Sequence, residues 1–324
     1  MLSLFRRNLF INLIFLLLFG VALVAYFIVF PLADGGVDWA LPQYEKIFSF
    51  IERDRWLRTG VGLALVLLEA FLVNEMVTTH RLSRALSTIP AAVFLLYSLW
   101  TVEPYIFHPI LIANLFFILA IRSLMKIYKR HLPVATIFNC GFFIAMASTF
   151  HPSYLVFVFI GIIGLVSLRT PDLREILQLV LGFLSPFFLF GVLLMYSGQL
   201  AILGEFFSQS ISIPELPSGS LQTLAKPLVA LLLILLSIGF NFSIRKKKKF
   251  DAIKKIELQY WMLLISVLSL VFTPVHAESQ LMMISLPLAI IYGLYLESKD
   301  NSILKEFFFF MAIALYGIFM SGIL

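Results

Sequence analysis

Residues 9–30 of the chain read LFINLIFLLLFGVALVAYFIVF, a run of 22 positions without a charged side chain. An α-helix needs about 20 apolar residues to cross the hydrocarbon core of a bilayer. Arg6 and Arg7 precede the run, as basic residues do in a secretory signal. The apolar part of such a signal, however, has only about 7–15 residues. We therefore interpret residues 9–30 as an uncleaved first membrane helix.

The whole chain has the apolar character of this run. Of its 324 residues, 61% are hydrophobic and 13% are charged, and the mean hydropathy is +0.99. A soluble domain carries about 25% charged residues, so this composition excludes a soluble globular protein. A membrane β-barrel would show segments of about ten residues with alternating hydrophobicity, whereas these runs are continuous. The sequence predicts an all-α, polytopic transmembrane helix bundle.

Further apolar runs bring the predicted number of membrane spans to about eleven. The predicted spans are 9–30, 58–77, 85–102, 105–122, 134–151, 153–169, 176–197, 225–243, 258–274, 279–296 and 305–323. Because no segment between them is long enough to fold alone, we expect one integral membrane domain over residues 1–324.

The distribution of basic residues predicts the orientation of these spans. With a cytoplasmic N-terminus and a periplasmic C-terminus, the inner loops hold most of the 24 Lys and Arg residues. The outer side keeps only Lys46, Arg53, Arg55, Arg58 and Lys226. Cytoplasmic loops of membrane proteins carry such an excess of positive charge. We therefore expect a multi-pass protein of the bacterial inner membrane, and we attribute the pI of about 9.4 to topology rather than to a nucleic-acid partner.

The strongest run of charge is RKKKKFDAIKK at residues 245–255. We interpret it as an anchor beside anionic lipid, where each basic residue contributes about 1 kcal/mol. Docking of a cytoplasmic partner is the alternative. On the outer side, Tyr44, Ile47, Phe48 and Ile51 recur at helical spacing and predict a short amphipathic helix on the membrane surface.

Histidines and carboxylates are concentrated on the predicted outer side. The histidines are His108, His151 and His276, and the carboxylates are Asp34, Asp38, Glu103, Glu205 and Glu278. These side chains serve as acid–base groups or as ligands of a divalent metal, although polar residues are also ordinary at membrane interfaces. No tightly spaced metal motif occurs and Cys140 is the only cysteine, so we expect no cofactor unless a divalent metal binds these groups.

Two sequence features favour a transporter. The tripeptide Phe-His-Pro occurs at residues 107–109 and again at 150–152, as a remnant of a repeated helix pair or by coincidence. Glu69 lies near the middle of span 58–77, where an acidic side chain costs a few kcal/mol. It is either a proton-coupling or substrate-contacting group or a polar clamp between helices, with Asn114, Asn139 and Ser148 as the nearest partners by depth.

Several common enzyme motifs are absent from the sequence. It contains no Walker A loop, no Gly-x-Ser-x-Gly and no His-Glu-x-x-His, which excludes the most familiar ATPases, hydrolases and zinc proteases.

The stretch Phe142–Arg174 resembles small polytopic inner-membrane proteins of Bacteroidota, a likeness that implies a fold and no activity. The layout also resembles C-type membrane glycosyltransferases, which use polyprenyl-phosphate sugars and carry acidic catalytic residues and an amphipathic helix in the first outer loop. In that family the acidic residues are adjacent, whereas here three residues separate Asp34 from Asp38.

This resemblance implies that Asp34 or Asp38 acts as the base toward an acceptor hydroxyl. It also implies that outer cations and histidines hold the lipid phosphate, for which the candidates are Arg55, Arg58, His108 and His151, joined on the same side by His276 and Glu278. Three functions thus remain open: an outer-face glycosyltransferase-like enzyme or carrier-lipid handler, a secondary transporter that uses Glu69, and a non-catalytic subunit of a cell-envelope complex.

Overall fold

The structure is a computed structural model of the chain. It describes residues 12, 14–22, 42–83, 87–101, 107–131, 133–199, 201, 202, 204, 206, 221–245, 248, 250–272, 281–297, 306, 309, 310 and 313. Within these ranges the regular structure is entirely helical, as the sequence predicted. Most of the predicted first and last spans, 9–30 and 305–323, lies outside the described residues, although residues 14–22 are helical.

Ten α-helices and one 3₁₀ helix have defined bounds in the described part of the chain. They are α1 (Pro42–Arg53), α2 (Arg55–Thr79), α3 (Ile89–Thr101), α4 (Pro109–Lys126), α5 (Val134–Phe150), a 3₁₀ helix (Pro152–Phe157), α6 (Val158–Leu168), α7 (Leu173–Tyr196), α8 (Leu221–Arg245), α9 (Phe250–Phe272) and α10 (Met282–Glu297).

Three helices differ from the predicted spans for identifiable reasons. Helix α4 begins at Pro109 rather than at residue 105, because His108 is its N-cap and proline is favoured in the first turn. The predicted span 153–169 is not one α-helix, since its first turns form the 3₁₀ helix that starts at Pro152. Helix α9 begins at Phe250, eight residues before the apolar run that predicted it, because its charged first turns are also helical.

The predicted amphipathic helix is present as α1. Its Tyr44 hydroxyl lies 3.0 Å from the Thr149 hydroxyl, and the Tyr44 ring stacks on Phe150 at 4.2 Å between centroids. Ile47 and Phe50 remain largely exposed on another side of the helix. Burial raises the pKa of Tyr44 to about 12, so its hydroxyl stays protonated in this contact.

From α2 to α10 the helices alternate in direction, and their ends collect at two ends of the bundle. We call one of them the basic end, defined by His80, Arg122, Lys129, Arg169 and Lys255. We call the other the far end, defined by Tyr44, Phe107, Thr149 and His151. Between α6 and α7, for example, residues 169–172 form a short turn that starts α7 at the end where α6 stopped.

The outside of the bundle is apolar, which is the reverse of a soluble protein. Trp56–Thr79, Pro109–Lys126 and Leu173–Tyr196 are each long and apolar enough to cross a bilayer. On α7, Phe188 is 71% exposed and Leu193 62% exposed, whereas α10 is buried along nearly its whole length. Exposed apolar surface of this extent marks a membrane or partner contact.

Helices α5 and α7 approach each other closely through two glycines. A Cβ atom added at Gly141 would overlap the backbone oxygen of Leu179 and lie 2.8 Å from the Phe183 nitrogen. One added at Gly182 would overlap the backbone oxygen of Phe138. Small residues at such crossings allow the backbones to approach closely in membrane bundles.

Candidate functional site

A buried hydrogen-bonded chain of three side chains joins α2, α4 and the 3₁₀ helix. The side-chain amide of Asn114 donates to Oε2 of Glu69 at 3.0 Å, and the Tyr154 hydroxyl donates to Oδ1 of Asn114 at 3.2 Å. All three residues are fully buried. We call Glu69, Asn114 and Tyr154 the buried polar triad. By depth alone the sequence offered Asn114, Asn139 and Ser148 as partners of Glu69, and the structure shows the hydrogen bond to Asn114.

Only one of the two carboxyl oxygens of Glu69 has a hydrogen bond in the buried polar triad. Its Oε1 atom is buried and has no hydrogen-bond partner among the described residues. No lysine, arginine or histidine of the described part forms an ion pair with it. One amide donor does not offset the loss of hydration of a buried carboxylate. The site therefore has a place for a proton, a cation or a polar ligand atom at Oε1.

Aromatic rings enclose the Tyr154 end of the triad. Phe117 packs against Tyr154 with 5.5 Å between ring centroids and against Phe157 at 4.3 Å. The 3₁₀ geometry after Pro152 places Tyr154 and Phe157, three residues apart, on the same side of the chain. These contacts restrict the Tyr154 ring and shield its hydroxyl from solvent.

His151 lies at the far end of the bundle, next to Tyr154 of the triad. It has extended backbone between α5 and the 3₁₀ helix and is 5% exposed. Its ring lies perpendicular to that of Tyr154, with 6.2 Å between the centroids. His151 is thus the first titratable side chain met when the triad is followed outward from Tyr154.

The other predicted site residues of the far end have separate surroundings. Nδ1 of His108 accepts a 3.2 Å hydrogen bond from the Ile110 backbone N–H, so this histidine caps α4. Arg58, in the first turns of α2, is 7% exposed. Asp34, Asp38, His276 and Glu278 lie outside the described residues, as does the side chain of Arg55 at the start of α2.

The basic end holds a second cluster of charged side chains. Nζ of Lys255 lies 3.1 Å from Nδ1 of His80, and Arg122 pairs with Glu75. Burial first, and then the positive charge of Lys255, lower the pKa of His80 to about 4. His80 is therefore neutral at neutral pH, and its Nδ1 accepts from the lysine.

A carboxylate of α9 ties the turn after α4 to this cluster. Asp251 accepts hydrogen bonds from the Tyr128 hydroxyl at 2.9 Å and from Lys129 at 3.0 Å. Donation from Lys129 and Tyr128 lowers the pKa of Asp251. Lys129 and Asp251 belong to segments that the charge pattern predicted to lie on the inner side, but no pattern in the sequence indicated that they meet.

Tyr154 is the functional candidate that sequence reasoning missed. A tyrosine near the end of an apolar run is ordinary at a membrane interface and does not by itself indicate a buried contact. One signal was present, because Tyr154 lies three residues after His151 of the second Phe-His-Pro tripeptide, which is the spacing of one 3₁₀ turn.

The described residues contain no group of three or more His, Cys, Asp or Glu side chains that could hold a metal ion. Comparison with protein-family models, with curated proteins and with solved structures finds no match to this chain.

Proposed function

We propose that the chain is a secondary transporter of the bacterial inner membrane and that Glu69 is its coupling group. The observation that carries the proposal is the buried polar triad, in which one carboxyl oxygen of Glu69 is hydrogen-bonded and the other has no partner among the described residues. Ionisable residues inside a membrane are rare and commonly mark substrate or proton pathways.

The chemistry of the triad suits reversible neutralisation of a carboxylate. A charged carboxylate at mid-membrane depth costs about 2.5–3.5 kcal/mol on insertion scales. A proton or a monovalent cation at Oε1 would remove that penalty while Asn114 keeps its bond to Oε2. Binding and release at Oε1 would then shift the protein between two conformations to the extent that they differ in affinity for the proton or cation.

The arrangement of polar side chains also supports a route for the coupling ion through the bundle. Tyr154 continues the triad toward His151 and the far end. On the same helix as Glu69, Asn74 is also buried, and Glu75 pairs with Arg122 at the basic end. Polar groups thus extend from Glu69 in both directions through an otherwise apolar bundle.

The orientation and the number of spans that the sequence predicts are part of the same proposal. We place the basic end in the cytoplasm, the far end in the periplasm, and about eleven spans between a cytoplasmic N-terminus and a periplasmic C-terminus. The concentration of basic residues at one end supports this orientation. Helix α1 would then lie on the outer leaflet with its exposed apolar side chains in lipid.

The proposal is tested first with dicyclohexylcarbodiimide, an apolar reagent that modifies protonated carboxyl groups within membranes. The full chain in lipid vesicles is treated over a range of pH, and the modified residue is identified by peptide mass spectrometry. We expect modification of Glu69 that decreases as the pH rises, and none at this position in Glu69→Gln.

The second measurement follows transport itself. Vesicles that contain the protein and an internal pH-sensitive dye are supplied with alkali cations, amino acids, monosaccharides or short carboxylates, one at a time. We expect one class to drive a proton flux that Glu69→Gln abolishes. Glu45→Gln, the same substitution at an exposed position of α1, is the matched control. A flux that survives in Glu69→Gln would refute the coupling role.

The second candidate is an outer-face enzyme or carrier-lipid handler that uses a polyprenyl-phosphate-linked substrate. It is favoured by α1, which packs across the far end where Arg58 is nearly buried. In this proposal Asp34 and Asp38 are catalytic, and Asp34→Asn and Asp38→Asn abolish activity in complementation at normal membrane abundance while Glu69→Gln is mild. The opposite pattern supports the transporter, and tolerance of all three substitutions favours a non-catalytic subunit of an envelope complex.

A further inference from the structure

A pocket of about 360 Å³ opens at the basic end between two turns of the chain. One turn follows α4 and supplies Tyr128, Lys129, Arg130 and His131, and the other starts at the end of α6, where Leu168, Arg169 and Thr170 line the pocket. These residues are separate from the buried polar triad and have no part in the function proposed above.

The pocket wall is strongly basic. Three of its residues are permanently cationic, His131 adds a ring nitrogen, Thr170 adds a hydroxyl, and no acidic side chain of the described chain lines it. Two of the cations have acidic partners that are not part of the lining. Lys129 pairs with Asp251, and Arg169 pairs at 3.0 Å with Glu175. Neither of these ion pairs involves Arg130, whose charge therefore adds to the pocket.

The two turns that carry the cations are linked to each other. The guanidinium of Arg169 donates to the backbone oxygen of Arg130 at 3.1 Å and so links the two turns. Lys129 has a backbone φ of 58°, in the left-handed region that non-glycine residues seldom adopt. The link between the two turns keeps their donors close together, which lowers the entropy lost when an anion binds.

From this arrangement we infer that the pocket binds the phosphate of an anionic phospholipid headgroup. Arginine and lysine side chains form charge-assisted hydrogen bonds to phosphate oxygens. Basic pockets between membrane helices on the cytoplasmic side are suited to anionic headgroups.

The surroundings favour a lipid over a soluble phosphate. Leu168 forms part of the wall, and the neighbouring first turns of α7 expose Leu173 to 73% and Leu177 to 52%. Thr170 of the pocket precedes Leu173 by three residues, so the exposed apolar side chains of α7 begin close to the pocket, where the acyl chains of a bound lipid would lie. The identification of the ligand as a lipid depends on the membrane orientation proposed above. The pocket itself does not depend on the role of Glu69.

Binding is measured with the purified full chain in a neutral detergent. Dihexanoyl phosphatidylglycerol is the anionic probe, dihexanoyl phosphatidylcholine is the matched probe without net charge, and inorganic phosphate is the soluble probe. We expect saturable binding of phosphatidylglycerol by calorimetry, no comparable binding of phosphatidylcholine, and displacement by inorganic phosphate only at much higher concentration. Inorganic phosphate that binds as tightly as phosphatidylglycerol would overturn the lipid assignment.

Three substitutions then locate the site. Arg130→Gln changes an exposed side chain of the pocket and should weaken binding by about fivefold, the effect of one basic residue near an anionic surface. His131→Gln, also exposed, should weaken it in the same direction. Arg174→Gln removes an equally exposed cation of the same end outside the pocket and should leave binding unchanged. Equal losses in Arg130→Gln and Arg174→Gln would show diffuse attraction to the surface and overturn the pocket, as would full binding by both pocket variants.

Discussion

Oε2 of Glu69 accepts a 3.0 Å hydrogen bond from the side-chain amide of Asn114, across 45 residues of sequence and between two helices that run in the same direction. The parallel direction is visible about two turns further on, where Glu75 of α2 meets Arg122 of α4. The two contacts fix the register of α2 against α4. The first is buried among apolar side chains, and the second lies at the basic end.

The hydroxyl of Tyr154 should contribute measurably to stability through Asn114. Tyr154→Phe leaves Oδ1 of Asn114 buried without its donor, which should reduce the free energy of unfolding by about 1–3 kcal/mol. Tyr196→Phe removes the same atom from a side chain that is 95% exposed and should change little. Thermal unfolding of both variants in detergent makes the comparison. Equal melting temperatures for the two variants would show that the bond does not stabilise the fold.

The sequence predicted the helices well where an apolar run had nearly the length of the helix. Residues 134–151 became Val134–Phe150, and residues 58–77 became part of Arg55–Thr79. The prediction failed where charge and helix overlap. A hydropathy window excludes charged residues such as Asp251 and Lys255, so the predicted span starts only at residue 258. Neither residue prevents the backbone from being helical.

Contacts between distant segments were predictable only when chemistry left few choices. Glu69 needed a polar partner at its own depth, and few other spans carried one, so Asn114 was foreseeable. The crossing of Gly141 with Gly182 was not foreseen, because glycine is common in membrane helices and its position does not specify a partner helix. The cluster of His80 with Lys255 depends on how α9 packs against the end of α2, which no local pattern encodes.

Substitution of Gly141 by alanine should disrupt the packing of α5 against α7. The added methyl group would overlap backbone atoms of α7, which are less able to move than the end of a flexible side chain. Overpacking of this kind costs about 1–3 kcal/mol or more. Fluorescence-detected size exclusion and the melting temperature in detergent report the loss.

Gly239→Ala in α8 is the matched control for that experiment, since a Cβ atom there has nothing within 4 Å. Alanine is favoured over glycine in a helix interior by about 1 kcal/mol, so this variant should be unchanged or slightly more stable. Tolerance of Gly141→Ala comparable to that of Gly239→Ala would contradict the close crossing.

Acidification should destabilise the basic end through His80. Burial and then Lys255 lower its pKa from 6.5 to about 4. The unfolded chain therefore binds a proton at this residue at a higher pH than the folded chain does. Stability contributed by neutral His80 is complete above pH 6.5, falls as the pH drops from 6.5 toward 4, and levels off below that.

The melting temperature in detergent, followed from about pH 7.5 to about pH 4.5, measures this contribution. His80→Gln should flatten the curve over this range, because glutamine does not titrate. Lys255→Gln should also reduce the slope, because removal of the neighbouring charge brings the pKa of His80 back toward its ordinary value. His131→Gln replaces an exposed histidine and should keep the original slope. An unchanged slope in His80→Gln would assign the acid sensitivity to another group.

The two ends of α7 should be accessible from opposite sides of the membrane. Its 24 residues extend about 36 Å as an α-helix, against about 30 Å for the hydrocarbon core. Thr170, before α7 at the basic end, and Gln199, after it at the far end, are both exposed and uncharged. Cys140, the only cysteine of the chain, is fully buried, so the unmodified protein should not react with a thiol reagent.

In intact spheroplasts, a membrane-impermeant maleimide should label Gln199→Cys at once and Thr170→Cys only after permeabilisation. The physical reason is that a charged reagent does not cross the apolar region that α7 occupies, and basic loops remain on the cytoplasmic side. The reverse pattern would invert the orientation and place the basic pocket outside the cell. Labelling of both positions in intact spheroplasts would show that α7 does not span the membrane, in which case its exposed apolar face must be covered by another protein surface.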